Sequence, residues 1–183
     1  DPDNNPHHMT LIVVERGMSG FERGRNLKKM GMKAQDTAEL FFNDVKVPKA
    51  NVLREPGQGF IYLMKGLAEE RLLGAVGDLS SAQLSFDLTL AYVQERKAFG
   101  KPVAAFQTTQ FKLAEMRTQL DFSQVYVDQC VTSFNAGQLS AVDAAKAKLV
   151  TSELQVAMGE LGVQLHGGNG YMDEYPISRQ YTD

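Results

Sequence analysis

Arg54-Glu55-Pro56-Gly57-Gln58-Gly59 is the stretch that decides the fold. Pro56, Gly57 and Gly59 interrupt any regular element, and across them the hydrophobic period changes from two to about 3.6. The stretch therefore reads as a domain boundary, with residues 1–56 on one side and 57–183 on the other. Upstream, Thr10-Leu11-Ile12-Val13-Val14 is a short apolar run ended by Glu15-Arg16-Gly17, and Glu39-Leu40-Phe41-Phe42-Asn43-Asp44-Val45-Lys46-Val47 is a second, stopped at Pro48. Gly24-Arg25-Asn26-Leu27-Lys28-Lys29-Met30-Gly31 supplies a weaker strand between them. These strands are too few to close a barrel, and unpaired edges are a liability, so partner strands are expected upstream.

Downstream, the spacing predicts a long amphipathic helix from Phe60, with Leu72, Val76, Leu79, Phe86, Leu90 and Val93 on its packing stripe, ending at Gly100-Lys101-Pro102. A second helix runs from about Phe106 to Phe134 on Leu113, Met116, Leu120, Val127, Cys130 and Phe134, and Asn135-Ala136-Gly137 stops it. A third covers residues 140–166, with Val150, Leu154, Leu161 and Leu165 on one stripe and Asp143 in its first turn. Residues 177–183 begin a truncated fourth. Short connections between long helices imply antiparallel neighbours, so the chain reads as α+β and mainly α, ending in an up-and-down bundle. Three helices and a stub leave an apolar face uncovered, which points to oligomerisation.

Composition narrows the function. A net charge of −3 with no basic stripe argues against nucleic-acid binding. No apolar run approaches the ~18 residues of a membrane span. The single cysteine, Cys130, excludes an intrachain disulfide and fits a reducing compartment as a small buried hydrophobe. His7 and His8 have no third ligand at a plausible spacing, so no metal site is expected. The polar, proline-broken lead-in and the uncapped Tyr181-Thr182-Asp183 both read as cut ends of a longer protein.

Three stretches can carry chemistry. In Leu67-Ala68-Glu69-Glu70-Arg71-Leu72-Leu73-Gly74 two carboxylates adjoin, and neighbours on a helix point about 100° apart, so only one can face a given pocket. Glu70 shares its stripe with Leu63, Gly66, Leu67, Gly74, Gly77 and Ser81, whereas Glu69 shares its own with Leu72, Leu73 and Val76, an ordinary packing surface. Glycine inside a helix costs roughly 1 kcal/mol relative to alanine, so the glycines beside Glu70 imply close approach to the backbone there. Glu70 is the carboxylate to place in a site. In Tyr92-Val93-Gln94-Glu95-Arg96-Lys97-Ala98-Phe99-Gly100-Lys101, Arg96 and Lys97 either complement the helix dipole or clamp a phosphate, and Phe99 either anchors the turn or packs on a flat ring. In Gln164-Leu165-His166-Gly167-Gly168-Asn169-Gly170-Tyr171 the glycines either cap a helix or admit a ligand to the main chain. His166 by itself reads as a packed residue rather than a base. Walker, dinucleotide-binding, zincin and nucleophile-elbow motifs are lacking.

Taken with Gly31-Met32-Lys33-Ala34-Gln35-Asp36-Thr37-Ala38-Glu39-Leu40-Phe41-Phe42-Asn43-Asp44-Val45 and Phe106-Gln107-Thr108, these stretches resemble the acyl-CoA dehydrogenase family, and its long-chain type most closely. The resemblance implies that residues 1–56 are the C-terminal part of a middle β-barrel domain. It also implies that 57–183 are most of a C-terminal four-helix bundle, its last helix truncated. It further implies a tetrameric flavoprotein, a dimer of dimers, that holds FAD noncovalently and oxidises acyl-CoA thioesters to trans-2-enoyl-CoA, with electron-transfer flavoprotein as acceptor. Arg96, Phe99 and Gln107 would contact FAD, as would Gln164, Leu165, His166, Gly167 and Gly168, often across a subunit interface. In most of the family the base lies beyond the point where this chain ends; in isovaleryl and long-chain members it falls at the position of Glu70. Arg71 would help shape the acyl-CoA pocket. The location would be the cytoplasm in a bacterium or the mitochondrial matrix in a eukaryote. A related flavin oxidase or hydroxylase, and a non-catalytic helical oligomerisation module, are the rival readings.

Overall fold

The computed structural model describes Asn5 and residues 8–183; His7 and most of the lead-in lie outside the described residues. The chain divides into two compact units, residues 1–67 and 68–183.

In the first unit, β1 (Phe21–Asn26) and β2 (Ala38–Phe42) pair antiparallel, with Phe21 opposite Phe42, Glu22 opposite Phe41 and Arg23 opposite Leu40. The rings of Phe21 and Phe42 stack with centroids 5.0 Å apart and fix the register. Gly20 is required at the strand entry, because at φ +83° a Cβ would lie 2.0 Å from the Asn43 carbonyl oxygen. Three strand expectations need correction. β1 starts three residues before Gly24 and stops at Asn26, since Phe21 supplies the cross-strand ring that the polar stretch 24–31 lacks. β2 stops at Phe42 rather than Val47, because Asp44 turns the chain with φ 50°. The run 10–14 forms no strand of a sheet. Ile12 makes one isolated antiparallel bridge to Val52, and neighbouring residues bond to the linker instead: Leu53 N–H donates to Leu11 and Gly59 N–H to Met9, at 2.9 and 2.7 Å. A backbone whose groups are satisfied by the linker has none left for a ladder on that side.

The bundle consists of α1 (Gly59–Glu95), α2 (Gln107–Asn135), α3 (Ala141–His166) and the short α4 (Pro176–Thr182). Its seam is heptad-like in each long helix: Leu72, Ala75, Leu79, Ala82, Phe86, Thr89 and Val93 on α1; Thr109, Leu113, Leu120, Ser123, Val127 and Cys130 on α2; Ala144, Ala147, Thr151, Leu154 and Met158 on α3. The spacing alternates three and four, and small residues at half the positions let the helices approach closely. This overturns part of the expected stripes. Val76 and Val150 are 39% and 47% exposed, while Ala75 and Ala147 are fully buried, because close packing at the seam selects small side chains over large apolar ones. Leu73, expected on a packing surface, is 65% exposed.

The connections follow local chemistry. Gly137, at φ 69°, turns the chain after α2. Ser140 caps α3, its hydroxyl accepting from Asp143 N–H at 3.0 Å and donating to the Asp143 carboxylate at 2.7 Å. That hydroxyl, foremost, holds the Asp143 carboxyl below its ordinary value. α4 docks through fully buried Ile177, whose Cδ1 lies 2.4 Å from where a Cβ on Gly162 would stand.

The first helix ends five residues earlier than expected. After Glu95 the chain forms a hairpin, β3 (Lys97–Ala98) and β4 (Lys101–Pro102), closed by Val103 N–H donating to the Arg96 carbonyl at 2.8 Å. Phe99 and Gly100 both have positive φ, 54° and 81°, the pairing that a tight two-residue hairpin turn demands.

Candidate functional site

The bundle gathers one group of candidate residues at one end. The C-terminus of α1, the β3–β4 hairpin, the N-terminus of α2 and the C-terminus of α3 meet there, joined by Tyr92 and His166, whose rings stack at 4.0 Å with an 18° interplanar angle. Arg96 and Gln107 are exposed, one just past α1 and the other at the first position of α2. Phe99 is 96% exposed, although its ring packs edge-on against Phe106 at 6.3 Å. A bulky residue held at positive φ with its side chain in solvent is disfavoured on both counts, and such strain clusters at functional positions. Lys101 covers the Phe106 ring, its Nζ 4.3 Å from the centroid, whereas Arg96 forms no ion pair among the described residues.

The five residues from Gln164 to Gly168 divide sharply. Gln164, Gly167 and Gly168 are exposed. Leu165 packs on the core, and His166 is 6% exposed, with Nδ1 donating to the Gly162 carbonyl at 2.7 Å and Tyr175 edge-on at 6.1 Å. Burial pushes the imidazole below its ordinary value, opposed by the hydrogen bond to Gly162. Stacked, hydrogen-bonded and buried, the ring is a packed residue of the bundle. Past it, the glycines differ in what requires them. Gly167 takes φ 60°, and at Gly170 a Cβ would lie 2.5 Å from the Val163 carbonyl oxygen. Gly168 has neither constraint: its φ is ordinary and nothing lies within 4 Å of an added Cβ. No contact among the described residues requires glycine at 168.

Glu70 and Arg71 are elsewhere. From Glu70 to Glu95 the helix rises about 38 Å at 1.5 Å per residue, so the carboxylate, in the first third of α1, lies far from the Arg96 cluster at its C-terminus. Glu70 is exposed, on the side of the helix away from the seam. Arg71 is half-buried and borders a shallow groove with Ala141, Val142, Ala145, Lys146 and Leu149 at the start of α3. The glycines on the Glu70 stripe separate in the same way as those after α3. A Cβ on Gly74 would meet the Lys148 stem at 3.2 Å, and Lys148 is held there by Asp78 at 2.6 Å, so the close approach inferred from Gly74 comes from this protein's own α3. Gly77 has nothing within 4 Å. With Leu73 and Leu84, 65% and 46% exposed, it makes an open apolar strip running from Glu70 along α1.

Two residues that the sequence offered no reason to single out lie beside the exposed cluster. Tyr92 donates its hydroxyl hydrogen to the His166 carbonyl at 3.2 Å and accepts from Asn169 Nδ2 at 2.9 Å. Both fall inside stretches already marked by Arg96 and the glycines, but their pairing spans 77 positions and leaves no local signal.

Comparison with known proteins gives a consistent result. The family described as acyl-CoA dehydrogenase, C-terminal domain, matches residues 57–183. The mitochondrial long-chain specific acyl-CoA dehydrogenase of Rattus norvegicus is 49% identical over 177 residues, covering 97% of this chain and 41% of that protein. Mitochondrial isovaleryl-CoA dehydrogenase of Solanum tuberosum is 37% identical over 175 residues, covering 96% and 42%. Among solved structures, an acyl-CoA dehydrogenase from Geobacillus kaustophilus superposes with a TM-score of 0.96 at 46% identity, over 98% of this chain and 47% of that one. The chain thus spans about two fifths of the length of the curated relatives it matches. With nearly all of its residues matched in sequence and in fold, the chain belongs to the acyl-CoA dehydrogenase family, whose members are FAD-dependent flavoprotein oxidoreductases.

Proposed function

We propose that this chain is part of an enzyme that dehydrogenates acyl-CoA thioesters to trans-2-enoyl-CoA, with Glu70 as the base that takes the α-proton. Residues 1–56 would complete a middle β-barrel with strands from elsewhere in the protein, and residues 57–183 would supply the bundle. The observation that carries the reading is the exposed cluster of Arg96, Phe99 and Gly168: a guanidinium at the surface, a ring that the hairpin turn holds out in solvent, and a glycine main chain with open space beside it. These groups suit FAD: a guanidinium fork for phosphate oxygens, a ring for a flat ring system, and a glycine main chain for close approach. Gln107 and Gln164 would add side-chain hydrogen bonds, whereas Leu165 and His166 would contribute main chain, since their side chains face inward.

FAD, when bound, accepts the hydride that leaves the β-carbon. The chain's own part is proton removal and charge control. Glu70 heads the apolar strip of Leu73, Gly77 and Leu84, along which an acyl chain would exclude water; desolvation raises a carboxylate's pKa and makes it a stronger base. Arg71 would border the thioester pocket. Because the base and the cofactor cluster of one chain are about 38 Å apart on α1, a second copy would complete each site. The exposed apolar residues Phe111, Phe122 and Val125 on α2, and Leu149 and Val156 on α3, are the surface such a homo-oligomer would cover. Electron-transfer flavoprotein would take the electrons onward. Glu70→Gln tests the assignment in the full-length protein. It is expected to retain flavin and to lose reduction of that flavin by acyl-CoA; normal reduction in the variant would move the base to another carboxylate.

A further inference from the structure

Resting on the flavin reading above, we propose that Tyr92 is a positioning residue that sets the glycine turn against the Arg96 end of α1. Its hydroxyl bridges α1 and the turn, and both of its hydrogen-bonding roles are in use: it donates to the His166 carbonyl and accepts from Asn169 Nδ2. These two contacts bracket Gly167 and Gly168, the residues left exposed for a ligand. The Tyr92 ring adds the stack on His166 and an edge contact to Tyr175 at 6.0 Å, which fixes where the last turn of α3 lies. One helical turn along, Arg96 N–H donates to the Tyr92 carbonyl at 2.8 Å. One residue thus anchors both halves of the cofactor cluster: its main chain holds the residue bearing the guanidinium, and its hydroxyl holds the glycine main chain.

The glycine turn needs such an anchor. Gly167 and Gly168 have no side chains, Gly167 takes a conformation that only glycine adopts readily, and an unrestrained glycine segment loses more backbone entropy on binding than any other. A turn ordered before the ligand arrives avoids that loss, which makes the hydroxyl a determinant of affinity for whatever the turn holds.

The test uses the full-length protein with Tyr92→Phe, which keeps the ring and its stack and removes both hydrogen bonds. FAD affinity is measured by titrating the apoprotein, with apoprotein melting temperature and the KM for acyl-CoA at saturating FAD as controls. The expected result is FAD binding weakened about tenfold, of the order set by one to two ordinary hydrogen bonds, with KM unchanged. Asn169→Leu removes one of the two bonds and should weaken FAD binding by less, and the double variant should be no worse than Tyr92→Phe alone, because the two act through one bridge. Lower melting temperature with unchanged FAD affinity would make Tyr92 merely structural and overturn the proposal. Additive losses in the double variant would overturn the shared bridge. Should Tyr92→Phe fail to fold, Asn169→Leu alone decides by the same FAD titration. Absence of FAD binding by the unsubstituted protein would instead overturn the flavin reading on which this rests.

Discussion

Two alanine substitutions two residues apart in the glycine turn should behave in opposite ways. At Gly170 an added Cβ would stand 2.5 Å from the Val163 carbonyl oxygen, 2.9 Å from Val163 Cα and 3.1 Å from His166 Cβ. The first two are main-chain atoms inside α3 and cannot swing aside, so the whole turn must shift. Overpacking of this kind costs about 3 kcal/mol at the upper end of its usual range. For a chain of this size each kcal/mol lowers the melting temperature by roughly 2–4 °C, so Gly170→Ala should lose about 6–12 °C. Gly168→Ala meets nothing within 4 Å and keeps an ordinary φ. Its stability should stay within about 0.5 kcal/mol, under about 2 °C. Yet it places a methyl group where the cofactor is proposed to meet the main chain, so apoprotein titration should show FAD binding weakened at least about tenfold, a loss of ~1.4 kcal/mol. Calorimetry of the apoproteins and flavin titration separate the two effects. If Gly168→Ala melted as early as Gly170→Ala, the account of the turn's packing would be wrong. If it melted normally and bound FAD normally, the ligand would not approach there.

Phe99→Gly should raise the apoprotein melting temperature, since relief of a left-handed non-glycine residue gains about 1 kcal/mol, while flavin titration should show weaker FAD binding. The buried imidazole of His166 gives stability a definite pH dependence. Its folded-state pKa is depressed, so below the ordinary histidine value of about 6.5 the unfolded chain binds a proton that the folded chain resists, and stability falls as pH falls through that window. Melting temperatures between pH 7.5 and 5 should drop less in His166→Phe than in the unsubstituted protein, and an equal drop would show that other groups carry the effect.

The helical half of the fold is legible because its period is sustained over long stretches, and the stops at Gly137 and Gly167 are written in residues that tolerate positive φ. The hairpin after α1 is not legible. A phenylalanine at φ 54° is a conformation that local rules assign to asparagine or glycine, and only the following Gly100 hints at a turn. The seam is only partly legible for a related reason: Ala75, Ala82 and Ala147 carry little hydrophobic weight in sequence but are fully buried in the seam, whereas the heavier Val76 and Val150 are exposed. In the β half, an apolar run such as 10–14 identifies extended chain without naming its neighbour. Within the candidate site, Glu70, Arg96 and the glycine turn stand out by residue type and spacing. The fact that Gly74 makes room for Lys148 and Gly77 for nothing in the chain depends on helix packing, and the Tyr92–Asn169 bridge on contacts between distant residues.

The central claim is that Glu70 and a flavin together remove hydrogen from an acyl thioester. The direct measurement is anaerobic mixing of the full-length protein with acyl-CoAs of graded chain length while the flavin absorbance is followed. Rapid bleaching is expected with a subset of chain lengths in the unsubstituted protein and none in Glu70→Gln. A flavin that stays oxidised with every acyl-CoA, or one that bleaches equally in both proteins, would contradict it.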